Sequence, residues 1–183
     1  MKNNNLQETT VNTCEVFKGK ILHVFNDTVE LPNKTAATRE HVKHNGGVCI
    51  VAIDDDENVL VVKQFRYPFK SILTELPAGK LDSINEDPLS AAKRELKEET
   101  GALAENFEYL GKIYTTPALM NEIIHMYLAT GLVFEEQCLD EDEFLTVERI
   151  PLDSLANMIM NGEIKDSKTV AAVLKVYARK LLK

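Results

Sequence analysis

The sequence predicts an α+β protein. Three observations point there: strand-like apolar patterning through residues 12–75, a single helical period over residues 88–100, and further strand patterns that precede two C-terminal helices. Strands and helices that come in groups, without regular strand–helix alternation, suit an α+β architecture and not a βαβ series. A chain of 183 residues is long enough for one ordinary domain with a sizeable core.

The opening residues 1–11 are polar and read as a tail. Over residues 12–45, Val16, Ile21, His23, Phe25 and Val29 fall in short alternating runs. Turn signals at Gly19-Lys20, Asn26-Asp27 and Leu31-Pro32-Asn33-Lys34 separate them. This predicts an antiparallel strand meander. Residues 37–43 alternate, which places Arg39, His41 and Lys43 on one strand face. The continuous apolar run over 46–53 predicts a strand covered on both faces. After a turn at 54–58, a strand over 59–62 leads into Lys63-Gln64-Phe65-Arg66, and a short extended piece over 71–75 delivers Leu76-Pro77-Ala78-Gly79.

The central helix is marked at both ends. Asp87 suits the N-cap, Pro88 the first helical position and Gly101 the left-handed position past the C-terminus. Leu89, Ala92 and Leu96 form its apolar stripe. Strands over 107–114 and 122–129, the second extended by 131–134, are joined by a loop containing Pro117. An acidic stretch over 135–143 precedes a strand over 144–151. Asp153 is expected to cap a short helix over 154–160, and Asp166 or Ser167 a last helix reaching about residue 182.

Composition narrows the function. Lys plus Arg number 21 and Asp plus Glu 29, a net charge of −8 with no long basic run. Nucleic-acid binding through phosphates is therefore not expected. Three cysteines without a CxxC pair suit reduced thiols in a cytoplasmic protein. Neither a signal-peptide pattern nor a membrane span is expected.

The chemistry concentrates on the central helix. Glu95, Glu98 and Glu99 lie at i, i+3 and i+4, so they share a face. Like charges at that spacing cost roughly 0.2–0.5 kcal/mol per pair, and the C-terminal half of a helix disfavours anions. Arg94, at i−4 from Glu98, offsets part of this. Taken alone, such a face also suits a solvated surface. Three carboxylates on a rigid element equally suit hard divalent cations such as Mg²⁺ or Mn²⁺.

The order Gly79, Glu86, Arg94-Glu95-Leu96, Glu98-Glu99, Gly101-Ala102 resembles the Nudix box. Six residues separate Gly79 from Glu86 where the family pattern has five, while the seven-residue spacing from Glu86 to Arg94 is kept. The segments VELPN, TREHVKHNGGV, VVKQFRYP, ELPAGKLD, YTTPALMNEIIHMYLA and LDEDE resemble the bacterial ADP-ribose pyrophosphatases of that family. Pro117, sixteen residues after Gly101, agrees with them.

The resemblance implies a mixed sheet sandwiched between helices over residues 46–183. It also implies Mg²⁺-dependent hydrolysis of ADP-ribose to AMP and ribose 5-phosphate, with Mn²⁺ a substitute. By resemblance, the Ala78 carbonyl, Glu95, Glu99 and Glu143 are metal ligands, Glu98 assists, and Arg94 orients the glutamates. Glu141 would be the general base, with the roles of Glu141 and Glu143 open to exchange; in an extended loop alternate residues point the same way, so both would face the site. Arg66 would hold the diphosphate, Arg39 and Glu40 would contact adenine or diphosphate, Glu122 the terminal ribose, and Phe25 would stack on adenine. The family also implies a homodimer that exchanges the strands of residues 12–45. Two alternatives stand beside this: hydrolysis of another nucleoside diphosphate derivative, and a non-catalytic ADP-ribose-binding regulator.

Overall fold

The computed structural model describes residues 6–182. The chain divides into two compact units, one of residues 1–44 with 116–122 and one of residues 45–115 with 123–183.

The first unit is an antiparallel sheet. Its strands are β1 (Thr9–Asn12), β2 (Glu15–Lys18), β3 (His23–Glu30) and β4 (Ala36–Lys43). β3 is central, pairing with β4 on one side and with β2 and β1 on the other. Two expectations need correction. Thr9–Asn12 is a paired strand, where a tail was expected, and residues 1–5 of that tail lie outside the described residues. Asn26-Asp27 is not a turn but the middle of β3. Across the ladder Asn26 faces Glu40 and Asp27 faces Arg39, and Asn26 N–H donates to the Cys14 carbonyl. Long-range pairing here overrides local turn preference.

The second unit contains two further sheets and three helices. One sheet has the order β8 (Ala78–Lys80), β5 (Gly47–Ala52), β10 (Ile123–Phe134), β9 (Ala102–Tyr114), with β5 and β10 parallel and the other pairs antiparallel. The other is antiparallel, in the order β11 (Leu145–Pro151), β6 (Asn58–Arg66), β7 (Ser71–Glu75). The helices are α1 (Pro88–Thr100), α2 (Leu152–Met160) and α3 (Ser167–Leu181).

The apolar run of β5 has the expected cause. Val48, Ile50 and Ala52 pack with Ala91, Ala92 and Leu96 of α1, whereas Cys49 and Val51 pack with Leu155, Val173 and Val176 of α2 and α3. Alternate side chains of one strand thus enter two cores, and the mixed sheet lies between helices. Burying an aliphatic side chain of this size contributes roughly 1.5–3 kcal/mol. Cys14, Cys49 and Cys138 form no disulfide. Among the described residues, no helix is long and apolar enough to cross a membrane.

The helix ends agree with their signals in two cases of three. Asp87 caps α1 by accepting from Ser90 N–H, and Asp166 caps α3 by accepting from Thr169 N–H. Asp153 does not cap α2. That helix begins at Leu152, with Pro151 in the N-cap position and no side-chain cap.

Candidate active site

The loop before α1 and the helix itself form one rigid corner. Glu99 is almost fully buried, and its Oε2 accepts from Ala78 N–H at 2.9 Å. A Cβ added to Gly79 would overlap the Glu95 carboxylate, so only glycine lets the helix carboxylate lie against the loop backbone. At the other end, Gly101 sits at φ 70° and its N–H closes on the Lys97 carbonyl at 2.8 Å.

Arg94 organises the acidic face. Its Nη1 donates to Glu95 at 2.7 Å and to Glu98 at 3.1 Å, and its Nη2 to Glu86 at 3.3 Å and to the Lys80 carbonyl at 3.2 Å. The additional residue before Glu86 is absorbed in a turn where Glu86 N–H reaches the Ser83 carbonyl. Glu86 Oε2 accepts from Asp82 N–H at 2.6 Å, and its Oε1 is tied to Arg94.

These carboxylates repel one another. Burial pushes the Glu99 carboxyl up to about 8; the Ala78 N–H opposes the shift, and the charges of Glu143 and Glu95 reinforce it. Burial likewise raises Glu95, against the pull of Arg94 and with the push of Glu98 and Glu143. Among the described residues, no group of three or more His, Cys, Asp or Glu side chains is arranged to hold a metal ion. Instead Arg94 holds Glu95, the Ala78 N–H holds Glu99, and Gln64 reaches Glu143 at 3.4 Å. The donor set itself fits a hard divalent cation. It is made of carboxylate oxygens, and burial with neighbouring negative charge disfavours ionisation of Glu95 and Glu99 unless positive charge is added.

The acidic loop differs from expectation. Asp140–Glu143 is not extended; Glu143 N–H bonds the Asp140 carbonyl at 3.0 Å, closing a turn. Glu141 is exposed and Glu143 half-buried, so alternation along an extended strand does not bring both to one side. The loop's entry is nevertheless fastened to the end of α1. Glu135 N–H bonds the Gly101 carbonyl, Cys138 N–H bonds the Glu98 carbonyl, and the Gln137 side-chain amide donates to the Glu99 carbonyl.

Arg66 ends β6 and pairs with Glu75, its Nε and Nη2 donating at 2.7 and 2.8 Å. Burial opposes ionisation of Glu75, but Arg66 and Lys168 outweigh it and hold its carboxyl at about 2. Glu75, Lys168, Gln64 and Gln137 were not singled out in the sequence. The one available signal was an acidic residue closing a strand just before an apolar Leu-Pro.

The remaining candidates lie in the first unit. Phe25 stacks on His41 with centroids 5.5 Å apart, and Lys43 Nζ lies 3.8 Å from the Phe25 centroid. His41 Nε2 is 3.0 Å from Asp27. Arg39 is paired with Glu8, its Nε 2.9 Å from one carboxylate oxygen, and Glu40 is exposed. Glu122 lies 3.5 Å from His44 Nδ1.

Residues 78–102 build this corner, and theirs is the stretch whose order resembles the Nudix box. The sequence profile of the NUDIX domain matches residues 43–173. The chain therefore belongs to the Nudix family, and it is a hydrolase of that family. It is 41% identical over 179 residues to the methanol dehydrogenase activator of Bacillus methanolicus, covering 97% of this chain and 96% of that one. It is 39% identical over 179 residues to the ADP-ribose pyrophosphatase of Bacillus subtilis (strain 168), with the same coverage. Its fold is similar to that of a solved ADP compounds hydrolase, with a TM-score of 0.83 and 24% identity over 94% of this chain and 93% of that one.

Proposed function

We propose that this protein hydrolyses the diphosphate of ADP-ribose to AMP and ribose 5-phosphate in the cytoplasm, with Mg²⁺ as its metal and Mn²⁺ as a substitute. The observation that carries this reading is the buried Glu99, held by the Ala78 N–H and electrostatically coupled to Glu95 and Glu143. A buried carboxylate whose ionisation burial and neighbouring negative charge disfavour is ready for a dication. The relative named ADP-ribose pyrophosphatase supports the choice of substrate.

In this reading the Ala78 carbonyl, Glu95, Glu99 and Glu143 would hold the metal, which when bound would supply charge neutralisation at the diphosphate and a lowered water pKa. Arg94 keeps Glu95 and Glu98 in place from its four-way position. Glu98 assists as a further carboxylate. Glu141 takes the proton of the attacking water, and Glu143 is the exchange candidate. Arg66 holds diphosphate oxygens through Nη1, which stands outside its pair with Glu75. Arg39, Glu40 and Phe25 serve the adenosine and diphosphate side, and Glu122 the terminal ribose. The homodimer with exchanged N-terminal strands belongs to the same reading.

The test is a panel of ADP-ribose, nucleotide sugars and dinucleotides with Mg²⁺, read for AMP and ribose 5-phosphate. Preference for ADP-ribose supports the proposal. Preference for another member moves the substrate and keeps the chemistry. Binding without turnover of any member would favour the regulator reading.

A further inference from the structure

The first turn of α3 is fastened to the end of β7 at two consecutive residues. Glu75, 2% exposed, shares its Oε2 between Arg66 Nη2 and Lys168 Nζ. Lys168 Nζ also contacts Asp166 Oδ1 at 2.9 Å. The other Asp166 oxygen accepts from Thr169 N–H at 3.0 Å and from its hydroxyl at 2.6 Å. That hydroxyl oxygen in turn accepts from Leu76 N–H at 2.9 Å. The result is one network running from the helix N-terminus through the buried Glu75 and Thr169 to the half-exposed Arg66, beside the strand that leads to Ala78.

The charges in the network balance, Arg66 and Lys168 against Glu75 and Asp166, so its use lies in geometry. Asp166 gives one oxygen to Lys168 and directs the other to the helix N-terminus, where the dipole accommodates negative charge. Glu75 accepts from Arg66 through both oxygens, which fixes the guanidinium plane and leaves Nη1 outside the pair. Lys168 Nζ holds the Glu75 Oε2 in that position. We propose that Lys168 is a positioning residue for Arg66: by charge and hydrogen bond it fixes the Glu75 carboxylate, and through it the plane in which Arg66 meets a substrate diphosphate. This rests on the reading of Arg66 as a diphosphate ligand.

The experiment is a double-mutant cycle of Lys168→Met and Arg66→Ala in the full chain. It is read as KM and kcat on ADP-ribose with Mg²⁺, and as the Kd of α,β-methylene ADP-ribose, which is not cleaved. Lys168→Met alone should raise KM and Kd about tenfold and change kcat less than about threefold. Lys168→Arg should restore most of the affinity. In the Arg66→Ala background, Lys168→Met should change Kd less than about twofold, because the residue it acts through is gone. An equal loss in both backgrounds, or no loss in either, would overturn the inference while leaving the hydrolase reading intact. A non-additive Kd with no turnover would sustain the inference and reject hydrolysis. Absence of both binding and turnover in the wild type would reject both. If Lys168→Met does not fold, Lys168→Gln, which keeps a donor and removes the charge, takes its place.

Discussion

The Ala78 N–H and the Glu99 carboxylate are joined at 2.9 Å, linking the residue before Gly79 to the last full turn of α1. This bond holds a carboxylate inside the protein although burial raises its pKa to about 8. A raised carboxyl pKa gives stability that is fully present below the unfolded value near 4.5 and is lost as pH rises through about 8. Metal-free wild type should therefore lose stability between pH 5 and about 8.5 in urea titrations, and Glu99→Gln should flatten that loss. The same variant should lower kcat roughly 10²-fold or more, because a metal site loses a charge. A variant that keeps near-wild-type activity would remove Glu99 from the metal site.

Gly79→Ala tests the close approach of loop and helix. The new Cβ has no room beside the Glu95 carboxylate. The helix side chain should be displaced, with kcat falling about 10²-fold, as small displacements of a catalytic group can produce. Circular dichroism should remain that of the wild type.

Arg94→Lys probes the organising role of the guanidinium. A single ammonium cannot serve Glu86, Glu95, Glu98 and the Lys80 carbonyl together. Activity should fall more than stability does, since the site is partly exposed and the folding loss should be only about 1 kcal/mol. Equal activity in the two proteins would show that Arg94 does not set the glutamates.

The network at Glu75 has the opposite pH sign from Glu99. Its folded carboxyl lies at about 2, below the ordinary 4.5. The stability it contributes is present above pH 4.5 and is lost as pH falls toward 2, with a size on the order of 3 kcal/mol. Glu75→Gln should reduce the acid-side slope of stability below pH 4.5 while leaving the slope above pH 5 unchanged.

What the sequence showed and what it hid have a common physical basis. Asp87, Pro88, Gly101 and the shared face of Glu95, Glu98 and Glu99 act within a few turns of one helix, so spacing alone reveals them. The continuous run of β5 was legible because two covered faces leave no polar alternation. Lys168 and Glu75 are 93 residues apart, and no local period announces their contact. Asn26-Asp27 carries turn chemistry that ladder pairing overrides, and the acidic loop looked extended because the turn bond from Glu143 to Asp140 has no clear compositional mark.

Glu141 and Glu143 differ in setting, which makes their roles separable. Glu141→Gln should lower kcat while leaving Mg²⁺ affinity nearly unchanged, whereas Glu143→Gln should weaken Mg²⁺ binding as well. Calorimetric titration beside steady-state kinetics gives both numbers, and the reverse pattern would exchange the two assignments.

The most direct test of the central claim is incubation of the protein with ADP-ribose and Mg²⁺ in H₂¹⁸O, followed by mass spectrometry of the products. Hydrolysis at phosphorus predicts AMP and ribose 5-phosphate, with ¹⁸O in the phosphate of one of them. Intact ADP-ribose after prolonged incubation, or release of ADP and ribose with no label in any phosphate, would contradict it.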